Sequence, residues 1–447
     1  MYSSLRTFLS VAAILLLTSV FLVAGTIDLG NLLDYENQTV PVYITRDNTG
    51  NNAIQNITAT LGRVLFYDKN LSSDNTVNCA TCHQQAVAFS DLDVVSEGVN
   101  GVTGRHSMRL INSRFSDEVR FFWDERAATL EEQTTQPIQD HAEMGFSGTN
   151  GDPDFNDLIV KMQGTPYYRT LFAEAFGDDS ISEARMQLAL AQFIRSIQSF
   201  DSKFDAGIAQ VNGDINADFP NFSDLENEGK TLFHQDAVFD PIGVRVGGGL
   251  GCAQCHQGPE FSIHPQRGNI GLITVANDPN AIDLTVTRSP TMRDLFSPSG
   301  TLNGPMMHDG SFTTFDEVID HYDDITFDPT VNPDLATQLR GGPQGQGQKL
   351  MMTQRERDAL TAYARTLSGT DVYTNELWSD PFEADGSLIV MGVLGDVDRN
   401  GTVNFSDIGP FIATLQAGIF LDEADCNQDG FVNFGDIPAF IGILQGS

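Results

Sequence analysis

Two short runs in this sequence place two cysteines and a histidine at the same spacing, C-A-T-C-H at 79–83 and C-A-Q-C-H at 252–256. The two cysteines of a C-x-x-C-H run can each form a thioether bond to a vinyl group of haem, and the histidine can donate an axial nitrogen to the iron. We therefore predict two covalently bound haem c groups. The residues expected to hold them are Cys79, Cys82, His83, Cys252, Cys255 and His256.

The same cysteines allow two other interpretations. Four cysteines in two C-x-x-C pairs could bind one structural zinc ion, and each pair alone could be a redox pair. The two pairs lie far apart in the sequence, whereas the pairs of structural zinc sites are usually close together. A redox pair needs no histidine after its second cysteine, yet both runs have one. The pattern therefore favours haem attachment.

The chain carries a large negative charge. It has 447 residues, with 60 acidic residues against 25 lysines and arginines, so its formal net charge is −35. This charge argues against nucleic acid as a partner and favours attraction to a small basic electron-transfer protein. The length is sufficient for two or three domains.

The first 25 residues have the pattern of a secretory signal peptide. Arg6 is the only charged residue before an apolar stretch from Phe8 to Val23, and Ala24-Gly25 offers small residues for cleavage. An uncleaved N-terminal membrane anchor is the alternative. In either case we expect export to the periplasm, the cell surface or the extracellular medium. Bacteria attach haem to C-x-x-C-H outside the cytoplasm, which agrees with this expectation.

Each haem-attachment run is preceded by a helical pattern and followed by loops and further helices. Apolar residues at 61–67 predict an amphipathic helix before the first run, and residues 222–235 predict one before the second. Residues 121–133 read as a helical segment, and Ser182 is predicted to cap the longest helix. Strand-like alternation is scarce, so we predict a mainly α fold with two cytochrome c-like haem domains in tandem.

A polar segment rich in glycine, asparagine and aspartate separates the two halves of the chain. The predicted units are a signal peptide (1–25), a lead-in segment (26–55), an N-terminal haem domain (56–205), a linker (206–221), a C-terminal haem domain (222–383), a second linker (384–394) and a small α module (395–447).

The C-terminal module contains two copies of an acidic loop. Oxygen-bearing side chains occupy loop positions 1, 3, 5, 9 and 12, and a glycine stands at position 6, where an EF-hand-type loop turns. Each loop is followed by an apolar helix. The pattern predicts an EF-hand-like module that binds two calcium ions and resembles dockerin-like modules, with a pair of acidic turns as the alternative. The expected ligands are Asp396, Asp398, Asn400, Thr402 and Asp407 in the first loop, and Asp425, Asn427, Asp429, Phe431 and Asp436 in the second.

Short motifs surround the two haem-attachment runs in a fixed order. They are L-G-R-V-L-F-Y-D at 61–68, F-W-D-E-R-A at 122–127, L-E-E-Q at 130–133, E-M at 143–144, G-P-M-M-H-D-G-S at 304–311 and H-Y at 321–322. With these motifs, the chain from Leu61 to Phe382 resembles the bacterial di-haem cytochrome c peroxidase and MauG family. The resemblance implies one haem with an open iron position that cleaves peroxide, and a second, six-coordinate haem that handles electrons.

The resemblance also implies roles for individual residues. Trp123 matches the aromatic residue between the two haems. Gln133, Pro137 and Glu143 match residues of the peroxide pocket. There Glu143 would move a proton from one peroxide oxygen to the other, and Gln133 would orient the peroxide.

The distal ligand of the second haem is matched by Tyr322. MauG-like members of the family carry tyrosine at this position, and peroxidases that need prior reduction carry methionine. A tyrosinate ligand stabilises oxidised iron. Met306 and Met307 are alternative ligands near this position in the sequence.

Three departures from the family pattern affect these expectations. Val99–Asn100 matches a loop that carries a removable histidine ligand in peroxidases requiring activation, so the first haem is expected to be five-coordinate. His106, the nearest histidine, replaces the asparagine of an inter-domain calcium site whose carbonyl ligands match Asn303 and Pro305. Glu125 stands where the family has glycine and adds a charge near Trp123.

These observations support three functions. The first is an exported peroxidase that reduces hydrogen peroxide with electrons from a small cytochrome c or cupredoxin. The second is a MauG-like oxidase that modifies side chains of a partner protein, and the third is a non-enzymatic di-haem electron carrier. The dockerin-like module implies an extracellular docking partner.

Overall fold

A computed structural model describes residues 26–117, 120–263, 268–342, 344–398, 403–418, 421–428 and 431–446. The predicted signal peptide, and Asn400, Thr402 and Asp429 of the predicted calcium loops, lie outside the described residues. Within these ranges, none of the helices is both long and apolar enough to cross a membrane.

The described residues form 12 α-helices and eight short strands, which confirms a mainly α fold. The helices are α1 (Asn56–Tyr67), α2 (Cys79–Cys82), α3 (Leu130–Thr134), α4 (Phe155–Gln163), α5 (Pro166–Phe176), α6 (Glu183–Ser196), α7 (Lys203–Gln210), α8 (Asp224–His234), α9 (Phe315–Asp323), α10 (Gln354–Arg365), α11 (Ile408–Ala417) and α12 (Ile437–Gly446). The strands are β1 (Thr26–Asp28), β2 (Ala237–Phe239), β3 (Arg245–Gly248), β4 (His256–Gln257), β5 (Ser262–Ile263), β6 (Thr274–Val275), β7 (Asp278–Ile282) and β8 (Ile389–Met391).

The first half of the chain is built on the crossing of α1 and α6. Gly62 of α1 lies against α6 so closely that a Cβ atom there would be 2.0 Å from the carbonyl oxygen of Ala189. Ser182 caps α6 by accepting a hydrogen bond from the Arg185 amide, as the sequence predicts. The helix crossing places α2 and its cysteines beside the first core.

The second half repeats this arrangement with α8 and α10. A Cβ atom on Gly229 of α8 would lie 2.0 Å from the carbonyl oxygen of Ala359, which is the same close approach that Gly62 makes in the first half. In both halves the helix that precedes the haem-attachment run crosses a later helix at a glycine. The two halves therefore share one architecture, in agreement with a duplicated helical unit.

Segments from the ends of the two halves meet on the first core. Strand β1 pairs in parallel with β8, so the predicted lead-in segment contacts the predicted second linker. Val372 and Trp378, which we assign to the second haem domain by sequence, are buried in the first hydrophobic core. Tyr67 donates a hydrogen bond of 2.6 Å to the Trp378 carbonyl oxygen, which fastens this segment to α1.

The helical segment expected at 121–133 is wrong in its first part. The backbone of Phe122 and of Glu125 is left-handed, with φ of 68° and 55°, and such residues interrupt a right-handed helix. The helix α3 begins only at Leu130, after Thr129 accepts a hydrogen bond from the Glu132 amide. The non-helical stretch allows Trp123 to turn inward, where its side chain is buried.

The C-terminal module has a small core of its own. Phe411 of α11 and Phe440 of α12 stack with ring centroids 3.9 Å apart and an interplanar angle of 13°. Each helix follows a single 3₁₀ turn, capped by Asn404 before α11 and by Asn433 before α12. Both copies of the loop therefore end in the same capped turn followed by a helix.

Candidate active site

A cavity beside the first C-x-x-C-H run brings together the residues that the sequence predicts for peroxide chemistry. Its wall includes His83, Trp123, Gln133, Pro137 and Glu143, with the cysteines of the run. They come from the end of α2, the loop before α3, α3 itself and the turn that follows it. Although far apart in the sequence, they face one space, and their roles remain predictions.

The first attachment run is fixed by a short, doubly capped helix. Asn78 accepts a hydrogen bond of 2.9 Å from the Thr81 amide, and the Thr81 hydroxyl accepts one of 3.1 Å from the Asn78 amide. His83 follows α2, and its Nδ1 lies 3.3 Å from the carbonyl oxygen of Phe89, which leaves Nε2 available to a metal. Burial lowers the pKa of His83 to about 4, so the ring is neutral, the form that binds iron.

Glu143 is a carboxylic acid of this cavity whose pKa is strongly raised. Burial, followed by repulsion from Asp140, raises its pKa from 4.5 to about 7, and Arg126 opposes the change. Asp140 also shapes the turn, because its Oδ1 accepts hydrogen bonds from the Ala142 and Glu143 amides at 2.8 and 3.1 Å. At neutral pH the Glu143 carboxyl group can therefore both accept and donate a proton.

The loop at Val99–Asn100, where some relatives are expected to carry a removable histidine ligand, packs against the turn that carries Glu143. The Val99 amide donates a hydrogen bond of 2.9 Å to the Glu143 carbonyl, and the Asn100 amide donates one of 3.2 Å to the Ala142 carbonyl. A Cβ atom on Gly98 would lie 2.0 Å from the same Ala142 oxygen. This loop therefore supports the turn that carries Glu143.

A second cavity lies beside the second C-x-x-C-H run. Cys252–Gln254 forms a single 3₁₀ turn, and His256 begins the short strand β4, where it pairs with Ile263. Burial lowers the pKa of His256 to about 4, as for His83 in the first cavity. Both histidines are therefore neutral and placed directly after their cysteines.

The structure places Tyr322, the predicted distal ligand of the second iron, and both alternative ligands in this cavity. Tyr322 of α9, Met306 and Met307 line it together. Burial raises the pKa of Tyr322, so its phenol is protonated unless a positive charge lies beside the oxygen. An iron ion supplies such a charge, and the choice between tyrosine and methionine stays open.

One wall separates the two cavities and belongs to both. Trp123 stands in it, and its indole N–H donates a hydrogen bond of 2.8 Å to the His106 carbonyl oxygen. The carbonyl of Trp123 accepts hydrogen bonds from the Thr287 and Arg288 amides at 3.0 and 3.1 Å, so the wall joins segments from the two halves. The residues that line both cavities are His106, Ser107, Met108, Arg109, Trp123, Arg288, Pro290 and Thr291.

Comparisons with known proteins agree with this geometry. A family model described as di-haem cytochrome c peroxidase matches residues 56–212. The methylamine utilization protein MauG of Methylophilus methylotrophus is 34% identical over 59% of this chain and 71% of its own length. The chain belongs to the di-haem cytochrome c peroxidase and MauG family. It is therefore a di-haem oxidoreductase.

One further relative and two solved structures are also similar to this chain. The cytochrome c551 peroxidase of Nitrosomonas europaea is 27% identical over 63% of this chain and 77% of its own length. A crystal structure of a MauG-like protein associated with microbial copper homeostasis superposes with a TM-score of 0.60 at 25% identity, over 78% of this chain and 99% of that protein. The diheme peroxidase BthA from Burkholderia thailandensis shares the fold, with a TM-score of 0.53 at 19% identity over 80% of this chain and 93% of that protein.

The two cavities fit the two haem c groups that the di-haem family implies. Each contains one cysteine pair and the histidine that follows it, whereas a shared zinc site would need all four cysteines around one ion. The two pairs line different cavities, so the single-zinc interpretation is wrong. The cysteines form no disulfide bonds with one another, which leaves all four thiols available for thioether bonds.

The sequence alone did not point to Arg109, whose guanidinium lines both cavities. Its Nε has no hydrogen-bond partner within the described part of the chain, and its Nη1 lies 3.4 Å from the Thr291 carbonyl oxygen. Haem carries two carboxylate groups, and a buried guanidinium is a suitable partner for them. No motif distinguishes this arginine from a surface residue, because its role depends on contacts between the two halves.

His106 lies in the shared wall, where its ring bonds to backbone carbonyls. Its Nδ1 is 3.0 Å from the Asp93 oxygen and 3.3 Å from the Val94 oxygen. The Asn303 side-chain amide donates to the Asp294 carbonyl at 2.8 Å, and Pro305 lines the second cavity. The inter-domain calcium ion therefore stays a prediction.

The two acidic loops of the C-terminal module have matching geometry. Carboxylate oxygens of Asp396, Asp398 and Asp407 lie within 4.8 Å of one another, close enough to share a metal ion. Asp407 accepts hydrogen bonds from the Asp398 and Asn404 amides at 3.0 and 2.8 Å. In the second loop Asp436 accepts from the Asn427 and Asn433 amides at 3.1 and 2.8 Å. Asp425 and Phe431, the other described ligands predicted for that loop, precede this turn in the chain.

Proposed function

We propose that this protein is an exported di-haem c-type peroxidase. It reduces hydrogen peroxide to water with electrons from a small cytochrome c or cupredoxin. The observation that carries this proposal is the placement of Glu143 and Gln133 in the same cavity as His83. The large negative charge of the chain is complementary to a basic electron donor.

The residues of the first cavity have separate tasks in this reaction. Haem, when bound, supplies the iron that binds peroxide and stores oxidising equivalents. A carboxylate oxygen of Glu143 accepts the proton of the inner peroxide oxygen and returns it to the outer oxygen, which then leaves as water. Gln133 holds the peroxide in position through its amide.

The test is turnover of hydrogen peroxide by the Glu143→Gln holoprotein with a reduced donor. The variant keeps the shape of the side chain but cannot accept the proton, so kcat/KM should fall by about 10²–10⁴-fold. Glu97→Gln is the matched control, because Glu97 is an exposed carboxylate at the edge of the same cavity. Unchanged turnover in the Glu143 variant would exclude this role.

The coordination of the first iron provides an independent test. With Val99–Asn100 in place of a histidine ligand, we propose that this haem is five-coordinate and active without prior reduction. Electron paramagnetic resonance of the oxidised protein should then show a high-spin ferric signal. A protein with two low-spin haems would contradict the proposal.

A MauG-like oxidase that modifies side chains of a partner protein is the second candidate. Tyr322 in the second cavity favours it. Replacing Tyr322 with phenylalanine should change the ferric spectrum of the second haem if the phenolate is a ligand. A spectrum unaffected by that change, with the signature of methionine ligation, would favour the peroxidase. Because the relatives are oxidoreductases, the non-enzymatic electron carrier is not retained.

We further propose that the C-terminal module is dockerin-like, binds two calcium ions and attaches the enzyme to an extracellular partner. The cluster of Asp396, Asp398 and Asp407 supports calcium binding in the first loop, and the matching turn around Asp436 supports it in the second. Export to the periplasm, the cell surface or the medium remains part of the proposal. Fractionation of cells that produce the tagged protein tests it, and a cytoplasmic pool of holoprotein would contradict it.

A further inference from the structure

Tyr167 and Tyr168 of α5 both donate hydrogen bonds to one carboxylate oxygen. Their hydroxyl groups lie 2.6 and 2.5 Å from Oδ2 of Asp68, and their ring centroids are 4.7 Å apart. Neighbouring residues on a helix normally point in different directions, so convergence on a single atom is a specific arrangement. Asp68 is 3% exposed and Tyr168 is 0% exposed, whereas Tyr167 is only half-buried. The pair therefore extends from the first core to the protein surface.

The carboxylate of Asp68 is a suitable proton acceptor for these phenols. The other donor that contacts it is the Asn70 amide, 2.8 Å from Oδ1, and no arginine or lysine forms an ion pair with it within the described residues. Burial and then the charge of Asp68 raise the pKa of Tyr168 well above its ordinary value, so the phenol remains protonated at rest. Loss of an electron from a phenol makes its proton strongly acidic, and a carboxylate at hydrogen-bond distance can take that proton at once.

Tyr35, Tyr67 and Tyr43 are not placed in this way, and Tyr373 makes a longer contact, 3.2 Å, with a carboxylate oxygen of Asp294. Tyr35 and Tyr67 donate to the carbonyl oxygens of Leu377 and Trp378, which cannot hold a proton. Tyr43 donates to the carboxylate of Asp205, which already forms an ion pair of 2.9 Å with the buried Arg293. The two phenols at Asp68 therefore share a carboxylate acceptor that forms no ion pair within the described residues, which these three tyrosines lack.

A short path joins the tyrosine pair to the first haem-attachment cysteine. Asp68 follows Tyr67, whose carbonyl oxygen accepts a hydrogen bond from the Asn78 side chain, and Asn78 precedes Cys79. Tyr168 and Cys79 pack in the same hydrophobic core. The pair thus lies in the same core as Cys79, the first predicted haem-attachment cysteine.

We propose that Tyr167 and Tyr168 form a redox-active pair that carries oxidising equivalents from the first haem site to the protein surface, with Asp68 as the proton acceptor. The proposal rests on the proposed function, which supplies the oxidant through the reaction of the first haem with peroxide. The pair would supply electrons to the oxidised haem site when no protein donor is bound.

The electrons and protons balance at each step. One electron passes from Tyr168 to the oxidised haem site, its O–H bond breaks, and the proton moves to Oδ2 of Asp68, which leaves a neutral tyrosyl radical. Tyr168 then takes an electron from Tyr167 and recovers a proton from Asp68, while the Tyr167 proton replaces it on the same oxygen. A small one-electron reductant at the surface finally reduces Tyr167, and Asp68 returns the proton.

The first experiment treats the holoprotein with hydrogen peroxide without a donor and records electron paramagnetic resonance after rapid freezing. A tyrosyl radical is expected, with hyperfine structure that collapses when the tyrosine rings are deuterated. Tyr168→Phe and Asp68→Asn should each reduce its yield several-fold. Tyr167→Phe should keep the radical but slow its reduction by ferrocyanide. Tyr35→Phe is the control and should leave the yield unchanged, and a radical yield unaffected by Tyr168→Phe would overturn the proposal.

A second experiment separates this proposal from the proposed function. Flash oxidation of the same holoprotein by a ruthenium photosensitiser bypasses peroxide and oxidises tyrosines that face the surface. The transient tyrosyl absorption should appear in the wild type and be lost in the Tyr167→Phe/Tyr168→Phe double variant. If the haem does not react with peroxide but this signal is present, the redox-active pair is supported and the proposed peroxidase function is contradicted. Equal signals in the two proteins would overturn the pair.

Discussion

The Oδ1 atom of Asp140 accepts a hydrogen bond of 3.1 Å from the backbone amide of Glu143. The negative charge of Asp140 also helps to raise the pKa of the Glu143 side chain. One residue thus fixes the turn that carries Glu143 and sets the pH range in which that group exchanges protons. Burial makes the larger contribution, and the charge of Asp140 adds to it.

The pH dependence of peroxide turnover should report the ionisation of Glu143. Its carboxylate form, which accepts the peroxide proton, is depleted below its pKa of about 7 and predominates above it. We therefore expect kcat/KM to rise with pH through about 7, and this acidic limb to disappear in Glu143→Gln. A limb that stays in the variant would belong to another group.

Replacing Asp140 with asparagine should move that limb to lower pH. The asparagine oxygen can still accept the two amide hydrogen bonds, but the negative charge that opposes ionisation of Glu143 is removed. The limb should remain above the ordinary glutamate pKa of 4.5, because burial is unchanged. Glu97→Gln provides the control, since Glu97 is not among the groups that alter this pKa. No movement of the limb in Asp140→Asn would contradict the assigned cause.

Alanine at Gly229 should destabilise the second half of the protein. The added Cβ would meet the Ala359 carbonyl oxygen at 2.0 Å, so α8 and α10 must separate. Overpacking of this kind costs about 1–3 kcal/mol, measured as a lower denaturant midpoint of the holoprotein. Gly247→Ala is the control, because a Cβ there meets no atom within 4 Å. Equal midpoints for the two variants would show that the helices adapt without cost.

Calcium removal should unfold the C-terminal module and leave the haem domains folded. The carboxylates of Asp396, Asp398 and Asp407 repel one another when no cation lies between them, and metal binding supplies folding free energy to small modules. In a chelator we expect loss of helical circular dichroism without a change in haem absorption. Asp396→Asn should weaken calcium binding, whereas Asp385→Asn, in the exposed segment before the module, should not. A module that keeps its helices in the chelator would disprove the ligand assignment.

The features that could be predicted from sequence depend on local spacing. The first C-x-x-C-H run and the Ser182 cap are each determined within a few residues, and both occur in the structure. The predicted helix α1 also forms, but it is not half-exposed as an amphipathic helix would be, because every residue from Thr58 to Tyr67 is buried. The stretch at 121–129 shows the limit of this reasoning. Its composition allows a helix, but the backbone is left-handed at Phe122 and Glu125, on either side of the buried Trp123.

Features that join distant segments could not be predicted. Arg109 has an ordinary sequence context, and its place between two cavities arises only when the halves pack together. Strands β1 and β8 are too short to give an alternating pattern, and their pairing joins the first described residues to the segment before the C-terminal module. The same applies to Asp68, whose two tyrosine partners lie about 100 residues further along the chain.

Trp123 and Arg109 belong to the wall between the two cavities, so the two haem sites are close enough to affect each other's reduction potential. A change of charge on one side of this thin partition alters the electrostatic potential on the other. If reduction of the first haem shifts the midpoint potential of the second, reduction of the second must shift the first by the same free energy. A redox titration of this protein should therefore be described by the states of a coupled pair, and a substitution in the wall should move both midpoints together.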